Sequence, residues 1–287
     1  MSANARCVFT VDVEDWFHIL DVPSTPPLEQ WAALPSRVEA SFQRMLAIMA
    51  QHGVKGTMFL RAGVAERCPH LVKEAEAQGH EIASHGYAHE LVFRIGRERF
   101  RVDIERARKL LEDISGSAVR GYRAPGFSAT AATPWFMDEV AGAGYTYDSS
   151  IWPGSRNHGG MPGALATPYT NSTAHGPLLE FPISMGTLLG RPMYFFGGGY
   201  LRFFPYPVIN NRVKKVLSED RPVIFYLHPR EVDPDQPRLH MSAKRRFMSY
   251  TGLRTTEPKM HRLFSDHRFS TFAELMQAVP PLAQVAE

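Results

Sequence analysis

The sequence predicts an α/β protein built from strand–helix–strand units. Short β-branched or aromatic runs alternate with longer segments of helical periodicity: a strand at CVFTVDV (7–13), a helix over 36–53 and a strand at 56–60 open the pattern. This alternation is typical of parallel sheets covered by helices. The chain has 287 residues, of which 44% are hydrophobic, so we expect a single domain, 1–287, with one sizeable core.

The same alternation continues through the middle of the chain. Further helices are predicted at 69–78, 100–114 and 133–144, and further strands at 80–84, 118–123, 145–150, 178–184 and 222–228. Residues 153–177 are rich in Gly, Pro, Asn and His and lack periodicity, which predicts a long loop that walls a binding groove. The chain from about 240 to 287 is predicted to form a C-terminal helical extension.

Composition and charge exclude several classes of protein. The formal charge of +3 is spread along the chain, so it predicts no electrostatic footprint for nucleic acid or an anionic membrane; the basic run at RRFM (245–248) is predicted to be a solvated face. Two cysteines, Cys7 and Cys68, are too few for a disulfide framework. Without an apolar run of about 18 residues or a secretory leader, we expect a cytoplasmic protein with no transmembrane segment.

Polar residues cluster at the carboxyl ends of five predicted strands. The set comprises Asp12, Glu14, Asp15, His85, His89, Arg123, Asp148 and His228. Because these strand ends converge on the catalytic face of parallel βα barrels, we expect the residues to form one site.

Each of these residues also has a structural interpretation when it is taken alone. Arg123 and Asp148 could form an ion pair at a barrel rim, and His228 could simply hydrogen-bond at a strand end. The histidines of HGYAH (85–89) could line one face of a helix. Glu180, in LLEFP, favours a rim or structural position over a catalytic one.

Together, the residues predict metal-assisted hydrolysis. Two imidazoles and one carboxylate suit a borderline divalent ion such as zinc, which lowers the pKa of a bound water and polarises a carbonyl. The HGYAH pair supplies two ligands. Asp12, Glu14 and Asp15 supply candidates for a third ligand and a general base, and His228 is the candidate acid for a leaving amine.

These motifs resemble, in order and over nearly the whole chain, those of the NodB-type polysaccharide deacetylases. SHGYAH (84–89), preceded by GHEIA, resembles the family's Ser/Thr-flanked His-x-x-x-His motif, RAPGF (123–127) its Arg-x-Pro motif, and YLHP (226–229) its Leu-x-His motif. TVDVEDW replaces the adjacent aspartates of the first motif, and YDSSIW resembles the fourth loosely. TVDVEDWFH, GGGYLRFFPY and HPREVDPDQPR resemble a subgroup associated with bacterial exopolysaccharide and cell-surface glycan biosynthesis.

The resemblance implies roles for the individual residues. Asp15, with Glu14 as the alternative, is expected to join His85 and His89 as a metal ligand. Asp12 is expected to be the base that takes the proton of the attacking water.

For the remaining motif residues the resemblance implies supporting roles. His228 is expected to be the general acid, with Asp148 tuning it, while Arg123 orients the base. Pro125, Phe127 and Trp152 are expected to contact the substrate; Trp152, Phe127 and Tyr200 could stack against sugars or equally belong to the core.

The resemblance also implies a fold and a reaction. We expect a distorted (β/α) barrel of about seven strands with one divalent ion, Zn²⁺ first among the candidates. The expected reaction is hydrolysis of an N-acetyl group from an amino sugar in a polysaccharide or glycan precursor. The alternatives are hydrolysis of a formyl or cyclic amide on the same fold, and a glycan-binding relative without catalysis.

Overall fold

The computed structural model describes residues 6–156, 159–188, 190–278 and 284–285. The strands lie at Cys7–Val13 (β1), Thr57–Leu60 (β2), Glu81–Ser84 (β3), Gly121–Tyr122 (β4), Tyr147–Asp148 (β5), Tyr169–Thr173 (β6), Gly176–Glu180 (β7), Gly186–Leu188 (β8), Arg191–Met193 (β9), Val223–Leu227 (β10), Phe269–Ser270 (β11) and Gln284–Val285 (β12).

Helices alternate with these strands. They lie at Val38–Gln51 (α1), Ala62–Arg67 (α2), Pro69–Ala77 (α3), Val92–Ile95 (α4), Arg97–Ser115 (α5), Phe136–Gly142 (α6), Gly198–Phe203 (α7), Tyr206–Ser218 (α8), Ala243–Tyr250 (α9), Thr256–Asp266 (α10) and Phe272–Ala278 (α11). Short 3₁₀ helices lie at Leu28–Ala33, Pro125–Phe127, Pro229–Val232 and Leu253–Thr255. Among the helices of the described residues, none combines the length and the apolar character that crossing a membrane requires.

The contacts of the chain group it into two compact units, the first formed by Met1–Thr57 and Ser184–Leu275. Its central strand is β1, whose seven residues are all buried, as expected for a continuous apolar strand covered on both faces. Strand β10 pairs with β1 in parallel, with Val11 opposite Leu227. This register brings the residues that follow, Asp12 and His228, to the same end of the pair.

The second unit is formed by Met58–Ile183 and Met276–Glu287. Strands β3, β4, β5 and β7 pair in parallel there, and the register aligns the ends of these strands. The aligned residues are Ser84, Tyr122, Asp148 and Glu180. The residues that carry the sequence motifs follow each of these strand ends, so the register explains why they share one edge of the sheet.

Helix α5 shows how the sequence builds this second unit. Its buried residues Phe100, Ile104, Ala107 and Leu111 recur at the spacing of one helical face. The helix ends at Gly116, whose φ of +73° is the left-handed conformation that glycine adopts without strain.

The predicted α/β class is confirmed, and one segment differs from its prediction. Residues 153–177 were expected to form a loop, but Tyr169–Thr173 is a strand that pairs antiparallel with β7. Its Tyr and Thr residues favour extended backbone, and the turn back to β7 ends at Gly176, where φ is +107°. Periodicity alone misses this strand because its polar residues Asn171 and Ser172 interrupt the apolar pattern.

Candidate active site

The two histidines of SHGYAH follow strand β3 directly. Both are buried, and their ring centroids lie 5.3 Å apart. The His85 Nδ1 atom lies 2.8 Å from the carbonyl oxygen of Arg123. Because a carbonyl can only accept a hydrogen bond, Nδ1 carries the proton and Nε2 keeps its lone pair, which is the tautomer of a metal-binding histidine fixed by a backbone partner.

Asp103, on helix α5, holds the loop between these histidines. Its carboxylate accepts hydrogen bonds from the backbone N–H of Tyr87 at 2.8 Å and of Ala88 at 2.9 Å. A side chain at Gly86 would press on the same carboxylate, and the backbone there has a φ of +70°, so glycine allows this close approach. The clamp fixes the path of the chain from His85 to His89, and the sequence motifs gave no sign of it.

Arg123 is fully buried in the second unit. Its guanidinium donates to the backbone oxygen of Ser149 at 3.1 Å and to the Ser149 hydroxyl at 3.0 Å, and it lies 4.0 Å from the ring centroid of Phe59. The arginine therefore ties the end of β4 to the end of β5. Since its own carbonyl accepts from His85, this tie also positions a histidine of the candidate site.

Asp148 and Glu180 form a buried carboxyl pair across strands β5 and β7. They are register partners, and both are fully buried. Asp148 accepts from the N–H of Ser150 at 2.9 Å and from its hydroxyl at 2.6 Å, while Glu180 accepts from the N–H of Ile151 at 3.1 Å. Burial raises the pKa of Asp148, and burial with the neighbouring Asp148 charge raises the pKa of Glu180 well above its usual range.

This pair makes stability depend on pH, and Glu180→Gln is expected to reduce that dependence. In the unfolded chain Glu180 ionises near its ordinary pKa, whereas in the folded protein it keeps its proton to higher pH. Stability is therefore lost as pH rises above the unfolded pKa, by up to about 1.4 kcal/mol per pH unit for one proton. In denaturant unfolding between about pH 5 and 8, the free energy of unfolding of Glu180→Gln should rise relative to that of the wild type as pH increases. Exposed Glu105→Gln is the control, and parallel curves for Glu180→Gln and wild type would contradict the assignment.

In the first unit, Asp12 and Glu14 converge on His228. The three side chains are buried or nearly so. The His228 Nε2 atom lies 4.0 Å from Asp12 Oδ2 and 3.9 Å from Glu14 Oε1. These separations are longer than hydrogen bonds but within ion-pair distance, so one imidazole nitrogen lies close to both carboxylates.

The other nitrogen of His228 faces Glu231. Its Nδ1 atom lies 3.3 Å from Glu231 Oε1, on the short 3₁₀ helix Pro229–Val232. Burial lowers the pKa of His228, but the charge of Glu14 and the bond to Glu231 outweigh it and hold the pKa above the ordinary histidine value. The sequence motifs did not identify Glu231. The available signal was its position three residues after His228 in HPRE, where Pro229 starts a turn.

Gly198 makes room for Glu231. A Cβ atom built on this glycine would overlap the Glu231 carboxylate. One function of the glycine run at 197–199 is therefore to let helix α7 pass close to the partner of His228.

Asp15 has a different set of partners. Its carboxylate accepts from the backbone N–H of Trp16 at 2.9 Å and of Arg37 at 3.1 Å, and from the hydroxyl of Ser36. Arg37 is the residue that precedes helix α1. Asp15 therefore connects the segment after β1 to the start of α1, which is a structural use of its carboxylate oxygens.

The aromatic residues expected to contact sugars are mostly buried. Phe127 and Trp152 pack with ring centroids 5.6 Å apart, and the guanidinium carbon of Arg156 lies 4.2 Å from the Trp152 ring centroid. Pro125 is also buried. Tyr200 is partly exposed and lies on α7. A contact between these rings and a substrate remains a prediction.

One group of side chains has the composition of a metal site. Among the residues that the structure describes, Glu14 in the first unit offers a buried carboxylate oxygen as a candidate metal ligand, and His85 and His89 in the second unit offer two buried imidazole nitrogens. Two imidazole nitrogens and one carboxylate oxygen are the donor set of catalytic zinc sites, in which a further position stays open for water. The residues thus fit the divalent ion that the sequence predicts.

Two family models match separate segments of the chain. Residues 33–147 match the family model described as polysaccharide deacetylase. This segment, about two fifths of the chain, is similar to the polysaccharide deacetylase family. The match contains His85, His89 and Arg123. Residues 149–277 match a domain of unknown function, DUF3473, which contains His228 and Glu231.

A known protein and two solved structures are also similar to the chain. The chain is 32% identical over 82 residues to a peptidoglycan-N-acetylglucosamine deacetylase of Bacillus cereus, a match that covers 29% of the chain and 30% of the relative. Proteins assigned as polysaccharide deacetylases share its fold. One, from Mycobacterium smegmatis, has a TM-score of 0.66 at 19% identity and covers 99% and 94% of the two chains. Another, from Pseudomonas aeruginosa PAO1, has a TM-score of 0.62 at 18% identity and covers 96% and 90%. The distorted barrel expected for the family is consistent with this shared fold.

Proposed function

We propose that the protein is a metal-dependent deacetylase that hydrolyses the N-acetyl group of an amino sugar in a polysaccharide or glycan precursor. The observation that carries the proposal is the SHGYAH pair, in which His85 is held by the Arg123 carbonyl in a metal-binding tautomer, within the segment that matches the deacetylase family. The similarity to a peptidoglycan-N-acetylglucosamine deacetylase supports an N-acetylated glycan as the substrate class.

The proposed metal ligands are Glu14, His85 and His89. Glu14 replaces Asp15 in this assignment because the Asp15 carboxylate is engaged by Trp16, Ser36 and Arg37. A bound divalent ion would polarise the acetamide carbonyl and lower the pKa of a bound water. The chemistry of the donor set favours zinc.

The proton transfers are assigned to Asp12 and His228. Asp12, buried at the end of β1, is the proposed base for the attacking water. His228 is the proposed acid that protonates the departing amine. Glu231 takes the role of tuning His228 that the sequence motifs suggested for Asp148, since it contacts Nδ1 directly.

A panel of amide substrates tests the reaction. The purified protein, reloaded with Zn²⁺, is incubated with N-acetylglucosamine oligomers, an N-formylated amino sugar and a cyclic ureide, and released acetate, formate or ring-opened product is quantified. Acetate release from the oligomers alone is expected. Release from the formylated sugar or the ureide alone would assign another amide bond to the same site, and no turnover combined with saturable oligomer binding would identify a binding protein.

Asp103→Asn is expected to weaken metal binding by about 10- to 100-fold, as loss of outer support for ligands does in other metal sites. The amide cannot accept from both Tyr87 and Ala88 in the same geometry, so the path between the histidines loosens. Competition with a chromogenic chelator measures the change in affinity. Asp113→Asn, at an exposed position on the same helix, is the matched control and should bind metal as the wild type does.

A further inference from the structure

An apolar surface in the first unit lies on helices α7 and α9. Phe203 is 60% exposed, Phe247 53% and Met248 52%, and the rings of Phe203 and Phe247 lie 6.2 Å apart between centroids. These residues border a cavity of about 280 Å³. Its apolar lining residues are Met193, Tyr200, Phe203, Phe204, Phe247 and Met248, which we call the α7–α9 patch.

Two cationic side chains donate hydrogen bonds to the backbone of the helices that carry the patch. Arg202 is buried and donates to the backbone oxygens of Met248 at 2.9 Å and Ser249 at 2.8 Å, at the carboxyl end of α9. Lys259 donates to the backbone oxygens of Leu201 and Phe204, at 2.8 Å and 2.9 Å, at the carboxyl end of α7. These hydrogen bonds hold the carboxyl ends of both helices in place. The exposure of the rings is therefore a property of the folded backbone.

The two sequence segments that carry the patch contain basic residues and no acidic residue, although one of these basic residues, Arg254, pairs with Asp235 at 3.6 Å. Residues 236–256, which contain α9, include five Lys or Arg residues and no Asp or Glu. Residues 181–218, which contain α7, also include no acidic residue. On α9 itself, Lys244 and Arg246 are exposed, next to Phe247 and Met248 in sequence. The basic run that the sequence analysis assigned to a solvated face thus borders exposed aromatic rings.

We propose that the α7–α9 patch docks the protein on an anionic lipid bilayer. Exposed Phe and Met side chains flanked by Lys and Arg are the composition of elements that lie in a membrane interface, with the rings among the acyl chains and the cations at anionic headgroups. The patch is apolar enough and charged with the correct sign for this surface.

Two other occupants fit the patch less well. A glycan needs polar partners beside the stacking rings, and the cavity lining offers only the Tyr200 and Thr251 hydroxyls among its side chains. A second copy of the chain meeting the same face in a twofold contact would bring two basic segments together, which charge repulsion opposes. The anionic bilayer is the occupant whose charge complements the patch.

Vesicle sedimentation tests the proposal. The full-length protein should pellet with phosphatidylglycerol-containing vesicles at low salt, remain in solution with pure phosphatidylcholine vesicles, and be released by about 0.5 M NaCl. Phe203→Ser with Phe247→Ser should lower the partition coefficient by about tenfold or more because the apolar contact is lost. Lys244→Ala with Arg246→Ala should lower it by about 25-fold, about fivefold for each cation.

Matched changes elsewhere separate docking from general effects. Val102→Ser removes an apolar residue of 53% exposure, and Lys109→Ala removes an exposed cation, both on α5; neither should change partition. Circular dichroism checks that each variant is folded. The proposal is overturned if the wild type does not pellet, or if both double variants still pellet. It is also overturned if vesicle binding is absent and Phe203→Ser with Phe247→Ser instead abolishes a dimer or the binding of glycan oligomers.

Discussion

Glu14→Gln is expected to lose the bound metal ion, whereas Asp15→Asn is expected to keep it. The Gln amide is a poor ligand in place of a carboxylate, so the proposed set falls to two histidines. The amide introduced by Asp15→Asn, by contrast, retains an oxygen for the N–H groups of Trp16 and Arg37, and the Ser36 hydroxyl can reverse its hydrogen bond. Mass spectrometry of metal content, after purification without chelator or His-tag, measures the ion per chain.

The expected metal content is about one ion per chain for the wild type and for Asp15→Asn. For Glu14→Gln and His85→Ala only a small fraction of an ion per chain is expected to remain. Exposed His175→Ala is the control for loss of a histidine. Loss of metal in Asp15→Asn with retention in Glu14→Gln would assign the ligand role to Asp15 instead of Glu14. A wild type that takes up no metal on reloading would remove the basis of the proposed reaction.

His228→Ala is expected to lower kcat by about 10²- to 10⁴-fold while the metal content stays at the wild-type value. This range is the usual contribution of a positioned general acid, and His228 is not among the proposed ligands. Glu231→Gln should have a smaller effect, about tenfold, because the imidazole stays in place and loses the charge beside Nδ1.

The pH profile identifies how Glu231 acts. Since the negative charge of Glu231 raises the pKa of His228, its removal lowers that pKa, and the alkaline limb of kcat/KM should move to lower pH in Glu231→Gln. Exposed Glu29→Gln should leave the limb in place. A fall in kcat with an unchanged pH limb would make Glu231 a packing residue, and metal loss in His228→Ala would move the histidine into the ligand set.

The sequence predicted those parts of the fold that depend on residues close together in the chain. The strands β1 and β10, the helices α1 and α5, and the placement of polar residues after strands all follow from periodicity and from the rule that parallel strand ends share an edge. The histidine pair was found because both residues lie within five positions of one loop.

The parts that sequence missed depend on contacts between distant positions. The family pattern favours Asp15 as a ligand, but it does not reveal that Ser36 and Arg37 return to engage the same carboxylate. Asp103 was not singled out from the sequence, since only the folded chain brings it to the loop after β3.

The space left by Gly198 has an evolutionary consequence. Because any side chain at this position would overlap the Glu231 carboxylate, the two positions are not free to vary independently. A homologous chain with a larger residue at the position of Gly198 must also have lost or relocated the carboxylate at the position of Glu231. Positions 198 and 231 should therefore covary across homologues, so the pairing of this histidine with its acidic neighbour can be followed through descent from sequence alone.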